Sequence, residues 1–467
     1  MKLLWALGVG IAPLSRASPA KRDGSPTVTI YSPQATIIGG ERLGTDVFPG
    51  IPSAKPPIGP LRLKPPKPLL GRYETKENAQ ACPQFFFSTE LDDAIPTTPL
   101  GKLLNTPMFQ QILNAGEDCL HLSIHRPVGT TESDSLPVLF WIYGRGFGFG
   151  WNAFFDIGNW VTASVEAGKP IIADDSANLG LLDQRLGLRW VVDTIATFGG
   201  NPDVVTIWGE SAGSISVFDQ LRGICRHFEL SPRGRLRQTS PRRELGSRHP
   251  KLFFNSLIVP PSTRWDRPPK TPDELLLEGK IAKVPFILGN QEDEGTLFAL
   301  SQSNITTEDQ LATYLKAKLF HSASDEQIAK LISTYSSISE YGAPHRKGLV
   351  SNWYPQFKRL AVILGDLTFT LTHRSVLEIS SLVHPDVPTW PYLSSYEHGL
   401  PVLGTSHGSD LVQVFFGIVP NYASRALHEY YLAFIHGQDP NSDTICRSGP
   451  GGEAYEFILE SMKTFHV

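Results

Sequence analysis

Ser211 stands inside the run Gly209-Glu210-Ser211-Ala212-Gly213, the pattern G-x-S-x-G. A serine hydroxyl becomes a useful nucleophile when a neighbouring base takes its proton, and a sharp turn that leaves the hydroxyl exposed gives that base room to approach. Glycine on both sides lets the backbone bend and pack closely. A chain of this length contains such a pattern by chance roughly one time in six, and read alone it is an ordinary Gly/Ser turn. The flanking sequence has to carry the argument.

It does so from Asn178 to Phe218. Leu181, Leu182, Leu186, Leu188, Val192, Ile195 and Phe198 recur at near-helical spacing, and Gly199-Gly200 with Pro202 end the pattern. Val204 to Trp208 is a short run with no turn residue inside it, which predicts a strand buried on both faces of a parallel sheet. That strand runs straight into the serine turn, and small residues after Ser211 start a helix. Further on, Val284 to Leu288 reads as a second strand that delivers Gln291-Glu292-Asp293-Glu294-Gly295-Thr296 at its carboxyl end, where open α/β sheets gather their catalytic groups. Taken alone, those acids are a solvated turn. Among 13 histidines, His407 is set apart by its place between Gly404 and Gly408, after the apolar Leu400 to Leu403.

The whole chain bounds these readings. Its 467 residues, 41% of them hydrophobic, are ample for a large core, as two or three ordinary domains or one large domain with insertions. The 42 basic and 46 acidic residues leave a formal charge of -4, which neither draws nucleic acid nor marks disorder. Lys2, the apolar run Leu3 to Leu14, and the small residues Ala17 and Ala20 before Lys21-Arg22 have the grammar of a secretory signal over residues 1–20. That core is too short to span a bilayer, and no later run reads as a membrane span. Residues 21–467 then form a single domain in an extracellular protein. Four cysteines, Cys82, Cys119, Cys225 and Cys446, suit an oxidising compartment, and their spacing leaves the pairing open.

Reading outward from Ser211, Phe48-Pro49-Gly50-Ile51-Pro52, the run KPPIGPLRLKPPKPL, Glu117-Asp118-Cys119-Leu120 and the run PVLFWIYGRGFGFG from Pro137 follow in order. Together these blocks resemble the type-B carboxylesterase/lipase family, over roughly Thr27 to Leu221 and Leu275 to Asn441. The resemblance implies an α/β-hydrolase fold, with a mostly parallel central sheet and helices on both faces. It implies hydrolysis of carboxylic esters, from small molecules or lipids, with no metal or organic cofactor. Ser211 becomes the nucleophile, Glu294 the acid and His407 the base, with Asp293 and Asp410 as competing carboxylates. Backbone N–H groups of Arg145, Gly146 and Ala212 become the oxyanion donors, and Glu210 matches an inward-facing carboxylate. The family joins the cysteines corresponding to Cys82 and Cys119 and closes a lid over 83–118, rich in Phe85-Phe86-Phe87, Leu103, Leu104, Met108 and Phe109, through which a lipid interface is touched. Asn304-Ile305-Thr306 is a glycan acceptor sequence, followed from Thr307 to Gln310 by a helix-capping box.

Departures from the family predict an impaired relative as the alternative, one that binds ligands without turnover. Arg145 replaces a glycine, and its side chain is expected to oppose a left-handed backbone there and crowd the acyl site. Loss of one oxyanion donor costs on the order of a hundred- to a thousand-fold in rate. After Ile172 only Ala173 to Ala177 remain before Asn178, which predicts a deleted crossover and an exposed sheet edge. From 222 to 249 eight arginines occur without helical or strand periodicity, and Ser211 lies only 83 residues before Glu294. That basic segment reads as translated intron or frame-shifted sequence. Oligomeric state is not legible.

Overall fold

The computed structural model describes residues 24–31, 34–69, 72–73, 75, 79–83, 115–148, 150, 157–176, 180–230, 236–238, 272–396, 399–415 and 422–442. The expected signal segment 1–20 and nearly all of the lid at 83–118 lie outside them, as do Cys446 and residues 239–249.

Strands β1 (Thr27–Tyr31) and β2 (Gln34–Ile38) make an antiparallel hairpin. The central sheet follows, from β3 (Gly40–Arg42), β4 (Thr45–Pro52), β5 (His121–Pro127), β6 (Leu136–Ile142), β7 (Ile172–Ser176) and β8 (Gly200–Gly209), in the spatial order β3-β4-β5-β7-β6-β8. β6 is parallel to both β7 and β8, whereas the β3, β4, β5 and β7 pairings are antiparallel. A short antiparallel pair, β9 (Phe228–Leu230) with β10 (Leu236–Gln238), precedes the parallel pair β11 (Phe286–Gln291) and β12 (Thr389–Ser394). Helices lie on both sides of this mixed sheet, the α/β-hydrolase architecture that the sequence implied.

β6 shows why. Its run LPVLFWI has no polar side chain, so it belongs where both faces are covered. Successive side chains alternate: Val138, Phe140 and Ile142 pack with Leu188 and Val191 of the helix Leu181–Thr194 and with Val217 of the helix Ala212–His227. Leu139 and Trp141 pack on the other face, with Trp160 and Val161 of the helix Gly158–Glu166 and Leu432 of the helix Tyr422–Gly437. Each such buried side chain contributes about 1.5–3 kcal/mol. Trp208 of β8 lies 4.7 Å from Trp141 and 5.2 Å from Trp160 between ring centroids, and stacks 5.6 Å from Phe415.

Several expectations change. The shortened segment after Ile172 opens no edge at β7, because Ile172–Ser176 pairs with β5 on one side and β6 on the other. Helices connect it to β6 and to β8, at the cost of placing Asp174 in the buried sheet. β8 is half-buried rather than enclosed, since β6 is its one strand neighbour among the described residues. The helix after Ser211 continues past Leu221 to His227, where no helical periodicity was read. The helical stretch Phe357–Val383 is long and apolar enough, with mean hydropathy 1.2, to cross a bilayer by length and composition, although no such run was read from the sequence. Half of its most apolar window is buried in the protein, and it carries Lys358, Arg359 and Asp366. A π-turn, Asp366–Thr370, interrupts it.

Candidate active site

Ser211 sits where β8 turns into the helix Ala212–His227, with φ 55°. A left-handed serine costs about 1–2 kcal/mol, and the surrounding packing imposes it. A Cβ on Gly213 would fall 2.0 Å from the Ile142 carbonyl oxygen, and one on Gly209 would fall 2.5 Å from the Gly213 carbonyl carbon. Both flanking glycines are therefore required by close approach. Behind the turn, buried Gln184 Nε2 donates to Ser216 Oγ at 3.0 Å, and Gln220 Nε2 donates to Gln184 Oε1 at 3.1 Å, fixing one helix on the other.

The base arrives from far away in the chain. His407 Nε2 lies 2.9 Å from Ser211 Oγ, and its Nδ1 lies 2.6 Å from Glu294 Oε2. A carboxylate only accepts, so a proton belongs on Nδ1, and when the ring is neutral the lone pair of Nε2 faces the serine hydroxyl. Glu294 Oε1 accepts from the Gln291 N–H at 2.7 Å, which fixes the carboxylate at the end of β11. The side chains of Glu294 and His407 are 4% and 12% exposed. Burial disfavours the imidazolium, yet Glu294 and Glu210 together outweigh it and lift His407 to about 9. Glu210 Oε1 lies 3.2 Å from the same Nε2, and burial pushes its carboxyl up to about 7 against the pull of His407.

The competing carboxylates have other partners. Asp293 accepts from the Thr405 N–H at 2.9 Å and the His345 N–H at 2.7 Å, and the Asp293 N–H donates to the Thr405 carbonyl at 2.9 Å. Gly404, with φ 58°, passes so close that a Cβ would meet Asp293 Oδ2 at 2.2 Å. Asp293 thus ties the turn that carries Glu294 to the loop that carries His407. Asp410 accepts from the Tyr392 hydroxyl at 3.2 Å. Neither this anchor nor the two rings beside His407 was read from the sequence: Phe298 lies 5.1 Å and Phe369 4.8 Å from the imidazole. Phe369 belongs to the π-turn, a break that apolar patterning does not reveal.

Gly144 leads from β6 into the loop beside Ser211, where its Cβ would fall 2.3 Å from the Glu210 carbonyl oxygen and 2.8 Å from Ser211 Cβ. Arg145 takes φ 66°, Gly146 φ 65° and Phe147 φ 60°. The arginine therefore does not prevent the left-handed curl, contrary to expectation; the loop accepts a further cost of about 1–2 kcal/mol. Its side chain is exposed and runs beside Gly150, where a Cβ would meet Arg145 Cδ at 3.5 Å. Ala212 opens its helix, so its N–H is among the first-turn donors with no intrahelical acceptor.

Cys82 and Cys119 form a disulfide. Asn304 is exposed in a turn ahead of the helix Glu308–Lys318, which begins with a complete capping box between Thr307 and Gln310. Among the described residues, no three His, Cys, Asp or Glu side chains group to hold a metal ion.

A family model described as "Carboxylesterase family" matches residues 28–162 and 173–221, stopping where the sequence departs from the pattern. "Secreted lipase 1" of Botryotinia fuckeliana is 49% identical over 496 positions, covering 91% of this chain and 86% of the relative. A secreted triacylglycerol lipase of Gibberella zeae is 39% identical, covering 92% of this chain and 85% of its own. Among solved structures, Aspergillus niger EstA superposes with a TM-score of 0.63 at 19% identity over 90% of each chain, a likeness of fold.

Proposed function

The chain belongs to the carboxylesterase family, and from that premise we propose that it is a secreted carboxylic ester hydrolase working through Ser211, His407 and Glu294. The observation that carries the reading is the continuous chain of hydrogen bonds from Ser211 Oγ through His407 to Glu294, at 2.9 and 2.6 Å. Ser211 Oγ attacks the ester carbonyl carbon while its proton passes to His407 Nε2. Glu294 holds the tautomer and stabilises the imidazolium. The carbonyl oxygen, now an anion, is met by the N–H groups of Arg145, Gly146 and Ala212. Collapse breaks the bond to the leaving alcohol, which takes the proton back from His407 and leaves an acyl-Ser211. Water then repeats the sequence in reverse, losing its proton to His407 and releasing the acid.

The names of the relatives favour lipid esters and an extracellular location, and the Cys82–Cys119 disulfide suits an oxidising compartment. Removal of 1–20 as a signal, a glycan on Asn304, and a lid over 83–118 belong to the same reading. The basic segment at 222–249 is intron or frame-shifted sequence; a transcript that encodes it as written refutes this.

Labelling with a fluorophosphonate and hydrolysis of p-nitrophenyl butyrate test the mechanism. Both signals are expected from folded protein, and both vanish in Ser211→Ala. Folded protein that does neither supports the alternative, a relative that binds without turnover. Rates on tributyrin against triolein separate an esterase from a lipase.

A further inference from the structure

A polar thread runs behind the three catalytic side chains and takes no part in their proton transfers. Tyr392 of β12 pairs in register with Gly289 of β11. Because Gly289 has no side chain, the phenol ring lies across it, so close that a Cβ there would fall 1.8 Å from Tyr392 Cζ. The ring thereby reaches over β11, the strand that leads to Glu294, and its hydroxyl meets two other segments. It donates to Asp410 Oδ2 at 3.2 Å and accepts from the Tyr431 hydroxyl at 3.1 Å. Asp410 opens a short helix three residues after His407. Tyr431 packs its ring 4.8 Å from that of Trp208, and the Trp208 N–H is a hydrogen-bond partner of its hydroxyl. Trp208 lies on β8, three residues before Ser211.

The direction of these bonds matters. Burial raises both phenols well above their ordinary range, so each keeps its proton and donates onward. The thread therefore ends on Asp410, whose Oδ1 is shut off from solvent. Burial lifts that carboxyl to about 6 and Glu294 raises it too, while the Tyr392 hydroxyl and His407 pull it back. The Asp410 charge in turn supports the imidazolium, alongside Glu294 from the turn after β11 and Glu210 from the serine turn. A carboxylate held charged here favours the cation that forms when His407 takes the serine proton, and it gives the histidine loop a fixed attachment. Within such a chain each donor also polarises the next.

We infer that Tyr392 is a positioning residue for the reaction: a hub that holds the strand of Ser211, the strand of Glu294 and the loop of His407 in mutual register, and grips that loop through Asp410. The inference rests on the triad reading above. Its test follows His407 through the downfield proton resonance of its Nδ1–H, which needs no turnover and is identified by its absence from His407→Gln. Tyr392→Phe keeps the ring over Gly289 and removes the hydroxyl. Asp410 then holds its own proton to higher pH, so the titration midpoint of His407 is expected to fall by about half a pH unit. On the alkaline plateau kcat falls about ten-fold, with KM within about two-fold. Asp410→Asn keeps an acceptor for Tyr392 and removes the charge, for a fall of about one pH unit. Tyr431→Phe, one bond further out, moves the midpoint the same way and less. A lower melting temperature in Tyr392→Phe with midpoint and kcat unmoved makes the thread packing alone and overturns the inference. So does a shift in Asp410→Asn that neither tyrosine variant shares, which leaves the carboxylate acting by itself. If Tyr392→Phe folds poorly, Tyr431→Phe decides between these outcomes. Midpoints that move in a protein taking no fluorophosphonate label keep the hub and remove the functional reading instead.

Discussion

The turn that carries Ser211 and the pair Glu294–His407 are held by different forces. Steric fit makes the first: Gly209 and Gly213 have no room for a side chain, and the serine backbone is pushed to φ 55°. Hydrogen bonds make the second, between segments 113 residues apart, with Asp293 joining their backbones. A fit of that kind comes from backbone passing close to backbone, Gly213 against Ile142 of β6 and Gly209 against Gly213, and survives loss of its own reactive atom. A pair joined across the chain depends on buried polar groups that stay paired or cost the fold dearly.

The largest test of this contrast removes the nucleophile. Ser211→Ala and Ser211→Gly are both expected to lower kcat by on the order of 10⁴ or more, with circular dichroism showing an intact fold. If either unfolds the protein, the turn is not self-supporting.

Next comes the acid. Glu294→Gln leaves shape but removes the charge that fixes the Nδ1 tautomer, and kcat should drop about 10³- to 10⁴-fold. The base must be neutral to accept a proton, and its pKa is lifted to about 9, so kcat/KM climbs as pH rises toward that value. Without the carboxylate the imidazolium loses its main stabiliser. The alkaline-rising limb should therefore move to lower pH, by about one to three units. A pH–rate profile that does not move assigns the shift to something other than Glu294.

Asp293→Ala probes the anchor. It leaves the N–H groups of Thr405 and His345 without their acceptor, at about 1–3 kcal/mol each. The melting temperature should fall, and kcat should fall more than KM rises, because the base loosens while the substrate surface stays. A loss confined to stability would show that Asp293 supports the fold alone.

The smallest effects concern strain. Ser211→Gly should be more stable than Ser211→Ala by about 1 kcal/mol, since glycine accepts the left-handed backbone. Arg145→Gly should gain a similar amount by the same argument, read by urea denaturation. Equal stabilities in both comparisons would mean that neither backbone is under strain.

Legibility in the sequence follows the same division. The serine turn could be read because Gly209, Gly213 and the strand before them are neighbours in the chain. Glu294 stood out through family resemblance, because nothing local tells an acidic turn at the end of a strand from any other, whereas His407 had both that resemblance and its setting between Gly404 and Gly408. Asp293 entered only as a rival to Glu294, since its bond to Thr405 spans 112 residues. Boundaries moved for identifiable reasons. The strand read from Val284 begins at Phe286, since Pro285 has no N–H to give to a ladder. β8 starts at Gly200, four residues before the apolar run, because Gly200 pairs with Leu136 of β6. The shortened run after Ile172 looked like a lost crossover, yet Ile172 and the four residues after it are enough to fill a strand between two partners.

The indoles of Trp141, Trp160 and Trp208, gathered on one face of the sheet, touch Phe415 through Trp141 and Trp208, just past the segment that ends in His407. Their emission is thereby a built-in gauge of whether that segment is seated. Water reaching this cluster would redden the spectrum, so a fluorimeter can follow the loosening of the histidine loop in an inactive variant, with no substrate and no label.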